Sequence, residues 1–204
     1  MNDSRAVGRP RGSSRAMLEE AAAELFLERT YAKTTVADIT RRAGVSRNTF
    51  FNYFTVKSDL LWVDVDAGLA VLPTALARCD RSAPVTESVR QALLAVAAEF
   101  GPGRAPWALS QYELMATTSE LEASALARFV VQVGLVQEFV GARPGHFVES
   151  DLVGRAFSTA AVAAAAAAAR EWVAAGVSRG PLAPYVDTAV SPVCAGFAPV
   201  LDQR

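Results

Sequence analysis

Apolar residues recur three or four positions apart along almost the whole chain, and no stretch alternates with period two. Leu18, Ala21, Ala22, Leu25 and Phe26 form one such stripe, with Glu19, Glu20, Glu24 and Glu28 off it. Val85, Val89, Leu93, Val96 and Phe100 form another, and Leu126, Phe129, Val130, Val133 and Val140 a third. A 3.6-residue period puts these side chains on one face of a helix, and burying that face needs other helices beside it. The pattern therefore predicts an all-α fold. The expected helices begin at Ser13 or Ser14, at Val36, at Arg47 (to Phe54) and near Lys57–Asp59 (toward Cys79). They continue with Val85 to Phe100, Trp107 to Ala116, a helix closed by Gly141, Asp151 to Ala175, and Leu182 to Leu201. Pro73 and Pro192 fall inside two of these, where each removes a backbone hydrogen bond, so a kink or break is expected near both.

Composition narrows the chemistry. His146 is the sole histidine and Cys79 and Cys194 are the sole cysteines among 204 residues. That leaves no thiolate zinc site, no disulfide framework and no Ser-His-Asp arrangement. No Gly-rich phosphate loop is present, so no catalytic residue, metal or cofactor is expected. His146 follows Pro144-Gly145 and reads as a loop residue, and the two cysteines read as small buried hydrophobes. The most apolar run, Ala156 to Ala169, is too short and too alanine-rich to span a bilayer. No apolar segment follows the N-terminal arginines, so no signal peptide and no membrane partner are expected. A cytoplasmic protein with reduced thiols fits this best.

The net charge of −1 conceals a split. Residues 1–60 hold ten Lys/Arg and seven Asp/Glu, whereas residues 61–204 hold ten and fourteen. Arg5, Arg9, Arg11 and Arg15 face one acid, Asp3, in the first fifteen residues. A basic arm on an otherwise acidic chain suggests a local contact with a polyanion. Gly8, Pro10 and Gly12 are expected to keep the arm out of a helix. Arg9 and Arg11 would then be free to enter a narrow minor groove.

The segment TTVADITRRAGVSRNTFFNYFTVKSDLL, Thr34 to Leu61, reads as two short helices around a glycine turn. Thr35 and Ser46 are capping residues, Ala43 permits close approach, and Gly44 takes the turn's unusual backbone angles. Ile39, Phe50 and Phe54 supply a core, with Val45 between the helices. The outward set on the second helix is Arg47, Asn48, Thr49, Asn52 and Tyr53. Arg can pair with guanine and Asn with adenine, and a Thr methyl can meet that of thymine. Tyr53 and Lys57 carry donors suited to phosphate.

This block, with the preceding RAMLEEAAAELFLERTY, resembles the tetracycline-repressor (TetR) family of bacterial regulators. The resemblance implies a homodimeric, ligand-responsive DNA-binding regulator. Its N-terminal three-helix unit would bind DNA, and its C-terminal helical bundle would bind an effector and dimerise. It implies Thr35, Ser46, Arg47, Asn48, Thr49, Tyr53 and Lys57 as DNA contacts. Phe51 stands where the family often has Tyr, so one hydroxyl contact is lost. DLLWVDVDAGL further resembles subfamilies that include regulators linked to the mycofactocin system.

The expected layout is a flexible basic arm over 1–12, a helix-turn-helix domain over 13–56, and a ligand-binding and dimerisation domain over 57–204. A palindromic operator and an apolar or amphipathic effector are the expected partners. Trp62, Trp107, Gln111, Tyr112, Met115, Phe129 and Phe157 are the candidate pocket residues, because bundle pockets are apolar with few polar anchors. Gln132 is a further candidate anchor. The alanine run 163–169 and the last helix offer two apolar surfaces for pairing copies. Two rival readings are a DNA-binding dimer without an effector and, remotely, a helical-bundle enzyme acting on an apolar substrate.

Overall fold

A computed structural model describes residues 11–103, 105–110, 118–143 and 151–202. These residues form ten α-helices: α1 (Arg11–Arg29), α2 (Val36–Ala43), α3 (Arg47–Phe51), α4 (Val63–Leu69), α5 (Leu72–Arg78), α6 (Val85–Ala98), α7 (Trp107–Ser110), α8 (Thr118–Gly141), α9 (Asp151–Ala174) and α10 (Ala183–Leu201). Among the described residues there is no strand. The all-α expectation holds, with an N-terminal helix-turn-helix unit ahead of a helical bundle.

Two hydrophobic cores organise the chain. Leu18, Leu25, Tyr31, Ile39, Phe50 and Phe54 join α1, α2 and α3, and Leu61, Trp62, Val65, Ala108 and Leu121 complete that cluster from later elements. The second core is built by α5, α6, α8, α9 and α10 around Leu72, Val89, Val136, Phe157, Trp172 and Val190. Burying one such large side chain stabilises the fold by about 1.5–3 kcal/mol. Polar ties lock α10 onto α6. The Asp202 carboxylate accepts from Thr86 N–H at 3.1 Å and from the Thr86 hydroxyl, and Arg90 pairs with Asp187.

Several boundaries depart from expectation. α1 begins at Arg11, so Arg11 and Gly12 belong to a helix rather than to the arm. α3 stops at Phe51, not Phe54. Beyond it the backbone N–H groups of Thr55 and Val56 donate to the Asp59 carboxylate at 2.8 and 3.1 Å, which replaces helical bonding. The single helix expected from Lys57 to Cys79 is instead a 3-10 turn (Lys57–Leu61) followed by α4 and α5. The break falls at Ala70-Val71, and Pro73 sits in the first turn of α5, where its lost donor is harmless. By contrast α10 runs unbroken through Pro192. Thr188, whose carbonyl loses its partner there, is exposed, so water can satisfy it.

α8 and α9 contain stretches long and apolar enough to cross a membrane, with mean hydropathy 1.3 and 1.5. The expectation rested on the alanine run alone. Flanking residues such as Val153 and Trp172 lengthen it, and Trp172 lies fully buried in the second core.

Candidate nucleic-acid interface and effector half

The reading unit is assembled by caps. Thr35 starts α2 in an extended conformation, and its hydroxyl oxygen accepts from Asp38 N–H at 3.1 Å. Asp38 Oδ2 in turn accepts from the Thr35 N–H at 3.1 Å and from its hydroxyl at 2.6 Å. These bonds hold the Asp38 carboxyl below the usual carboxylate range, the Thr35 hydroxyl contributing most. Gly44 closes α2 at φ 64°, a left-handed geometry that glycine adopts without strain. Ser46 then caps α3, its Oγ accepting from Thr49 N–H at 3.0 Å.

α3 has two sides. Phe50 is fully buried and packs at a tilt against Phe54 with ring centres 5.5 Å apart. Arg47, Asn48 and Asn52 are exposed. The Thr49 hydroxyl lies 2.8 Å from Ser46 Oγ, so both hydroxyls take part in the cap, and Thr49 is half-buried. Tyr53 is half-buried against the first core. Arg42 fastens α2 to α1, donating to Glu24 and Glu28 at 2.8 Å each. Arg9 lies outside the described residues, and Arg11 begins α1.

Lys57 is placed differently from the rest. Its ammonium donates to the carbonyls of Tyr31 (2.9 Å) and Thr34 (2.8 Å) and sits 3.9 Å from the centre of the Tyr31 ring. Burial lowers its pKa. Two of its three donors thus serve the chain itself. Tyr31 donates its hydroxyl to Glu120 Oε1 at 3.1 Å, which links the α1–α2 turn to α8, and burial is the main cause of its raised pKa.

The described candidate pocket residues divide between the two cores. Trp62 and Trp107 belong to the first core. Phe157 and Phe129 belong to the second. Gln111, Tyr112 and Met115 lie outside the described residues, as does His146. Trp107, partly buried, lines a cavity of about 300 Å³ with Phe26, Leu60 and Val63. A cleft of about 420 Å³ lies between α4 and the end of α6, lined by Asp64, Gly68, Glu99 and Phe100. Another, of about 370 Å³, lies between α4–α5 and α8, lined by Asp66, Leu69, Pro73, Arg128, Val131, Gln132 and Leu135. Cys79 is half-buried and Cys194 buried. Burial raises both thiols, Cys194 to about 11, so neither is an activated thiolate.

The family model for bacterial regulatory proteins of the tetR family matches residues 18–61, and that for the MftR C-terminal domain matches residues 83–198. Together they span the reading unit and most of the bundle. The chain belongs to the TetR family. It is a DNA-binding transcriptional regulator, and the matched families are regulators rather than enzymes. A Mycobacterium tuberculosis protein named as the mycofactocin biosynthesis transcriptional regulator MftR is 29% identical over 139 residues, 68% of this chain and 70% of that one. Two solved TetR-family structures share the fold at TM-score 0.54. Thermus thermophilus FadR, in complex with lauroyl-CoA, is 23% identical and is matched over 89% of this chain and 94% of its own. A TetR-like regulator from Rhodococcus sp. RHA1 is 20% identical, over 93% and 98%.

Two features of this TetR-family chain escape a reading of its sequence. Phe51 does more than pack. It is 48% exposed, meets Phe50 edge-on at 5.2 Å, and lies beneath the Arg47 guanidinium at 5.6 Å. An aromatic at this position can therefore hold the arginine in place by cation–π attraction without a hydroxyl. The second feature is Arg128 on α8, which grips Asp66 on α4 through Nε (2.6 Å) and Nη2 (2.7 Å) and covers the Trp62 ring at 4.7 Å. Its sequence context gives no sign of either partner, because Asp66 lies 62 positions away.

Proposed function

We propose that the chain is a repressor that binds a palindromic operator as a homodimer and leaves it when a small, largely apolar effector enters the bundle. α3 carries this reading: a short helix capped by Ser46, anchored by buried Phe50, with Arg47 and Asn48 on its open side. One such helix reads only a few base pairs. Two related by a two-fold axis would read half-sites one helical turn, about 34–36 Å, apart. Thr35, Ser46 and Thr49 then support the phosphate contacts by fixing the starts of α2 and α3, Lys57 by bracing the turn before α2, and Tyr53 through its hydroxyl. Arg9 follows from the arm into the adjacent minor groove, and Arg11 at the start of α1 supports it from beside the groove.

Pairing is proposed through α9 and α10. Between them lies a groove of about 520 Å³ lined by Ala167, Ala168, Pro184, Tyr185 and Ala189, where small side chains permit close approach. The complex of Thermus thermophilus FadR, which shares the fold, with lauroyl-CoA supports an effector with an acyl chain. The protein would act in the cytoplasm, where its operator lies. Coupling is reciprocal, so DNA weakens effector binding by the factor that effector weakens DNA binding.

Selection of bound sequences from random duplexes, repeated with metabolite extract, tests the reading. A palindromic consensus that extract abolishes is the expected result. An enriched site without two-fold symmetry, or a particle that sediments as a single chain, would refute it.

A further inference from the structure

We propose that the cleft between α4–α5 and α8 is a small-molecule site for a ligand with an apolar body and a hydrogen-bond-donating headgroup, an amine above all. Its walls are apolar: Leu69, Ala70, Pro73, Val131 and Leu135. Its polar end is rich in acceptors. Arg128 has spent its donors on Asp66 and on Ser124, whose carbonyl and hydroxyl it meets at 3.2 and 2.7 Å. Asp59 stands 3.6 Å from the same guanidinium, so two carboxylates surround one cation and the end keeps surplus negative charge. Asp66 retains open lone pairs, its side chain being 45% exposed. Gln132, one turn beyond Arg128, lines the cleft, and its Oε1 is shut off from solvent without a donor among the described residues. An unmet buried acceptor is costly, and a soft rotation of the terminal amide would bring it to a ligand N–H or O–H. A carboxylate head would meet the Asp66 carboxylate and the Gln132 oxygen and be repelled.

That the occupant is the effector rests on the function proposed above; the site itself does not. Because Asp66 belongs to α4 and Arg128 to α8, an ammonium competing for Asp66 would loosen the link between the bundle and the helix leading to the reading head.

Titration calorimetry on the full chain with octylamine, octanol and octanoate, three heads on one body, tests the site. Octylamine is expected to bind at least tenfold tighter than octanoate, with octanol between. Gln132→Leu is expected to weaken octylamine several-fold. Val131→Trp, a change at a 58% exposed position that fills the cleft, is expected to abolish binding while leaving the melting temperature unchanged. Octanoate binding as tightly as octylamine, or octylamine binding that survives Val131→Trp, would overturn the site. Octylamine binding without loss of operator affinity would uphold the site and sink its role as effector pocket. Operator release by extract that persists in Val131→Trp would keep an effector and place it elsewhere.

Discussion

Lys57 holds Thr34 from across the reading head, its Nζ 2.8 Å from the Thr34 carbonyl, with the Tyr31 carbonyl 2.9 Å away. A side chain expected to meet phosphate is thus a brace between the α1–α2 turn and the 3-10 turn. Lys57→Met is expected to lower the unfolding free energy by about 1.5–3 kcal/mol, since charged hydrogen bonds contribute that much and two carbonyls lose their donor. Urea denaturation would show a lower midpoint at unchanged slope. The salt slope of operator binding should change by less than one phosphate contact. Full stability in the variant would contradict the brace.

Gly68 leaves room for the tip of the Phe100 ring to press against α4. A Cβ at this position would stand 2.3 Å from Phe100 Cζ and 2.6 Å from Cε2. Gly68→Ala must displace the ring, at a cost of about 1–3 kcal/mol, despite alanine's better helix propensity. A raised melting temperature would show that the ring moves freely.

Thr30 ends α1 at φ 73°, a left-handed conformation rare for a β-branched residue. Thr30→Gly is expected to stabilise the chain by about 1 kcal/mol, read from thermal unfolding. Its carbonyl contact from Thr34 Oγ1, 2.9 Å, is a backbone contact and survives the change.

Arg47→Ala and Asn48→Ala should each cost about 1–3 kcal/mol in operator binding and relax base preference at one position of each half-site, with stability intact. Removing residues 1–10, which contain Arg5 and Arg9, should weaken every duplex alike and flatten the salt dependence. A competition binding assay across single-base variants of the operator separates the two behaviours. Uniform weakening by Asn48→Ala would remove it from base reading.

Acid should loosen the start of α2. Asp38 has a depressed pKa in the folded chain, so its contribution is present above the unfolded value and is lost as pH falls through the folded one. The stability gap between the parent and Asp38→Asn should therefore hold near pH 7 and shrink below about pH 4. A gap that is constant from pH 7 to pH 3 would show that the charge on Asp38 does not matter.

The head was legible because its signals are local. Thr35, Gly44 and Ser46 act within three or four residues, and each does in the structure what its chemistry demands. The break at Pro73 was readable for the same reason, whereas Pro192 was not, because α6 and α9 pack along α10 and hold it helical. Pocket residues were the least legible. Aromatic side chains serve a core as readily as a cavity, and sequence alone could not divide Trp62 and Trp107 from Phe129 and Phe157. Arg128, the residue joining bundle to head, depends on partners 62 and 69 positions distant, which no periodicity reports.

The first core does not stop where the helix-turn-helix does. Trp62, Val65, Ala108 and Leu121 finish the packing begun by Leu18, Ile39 and Phe50. A severed 13–56 fragment would carry an open apolar wound, so the head is no portable cassette. Grafts onto a foreign bundle should retain the native stretch through Leu121, and any chimera spliced at residue 56 should precipitate or melt early.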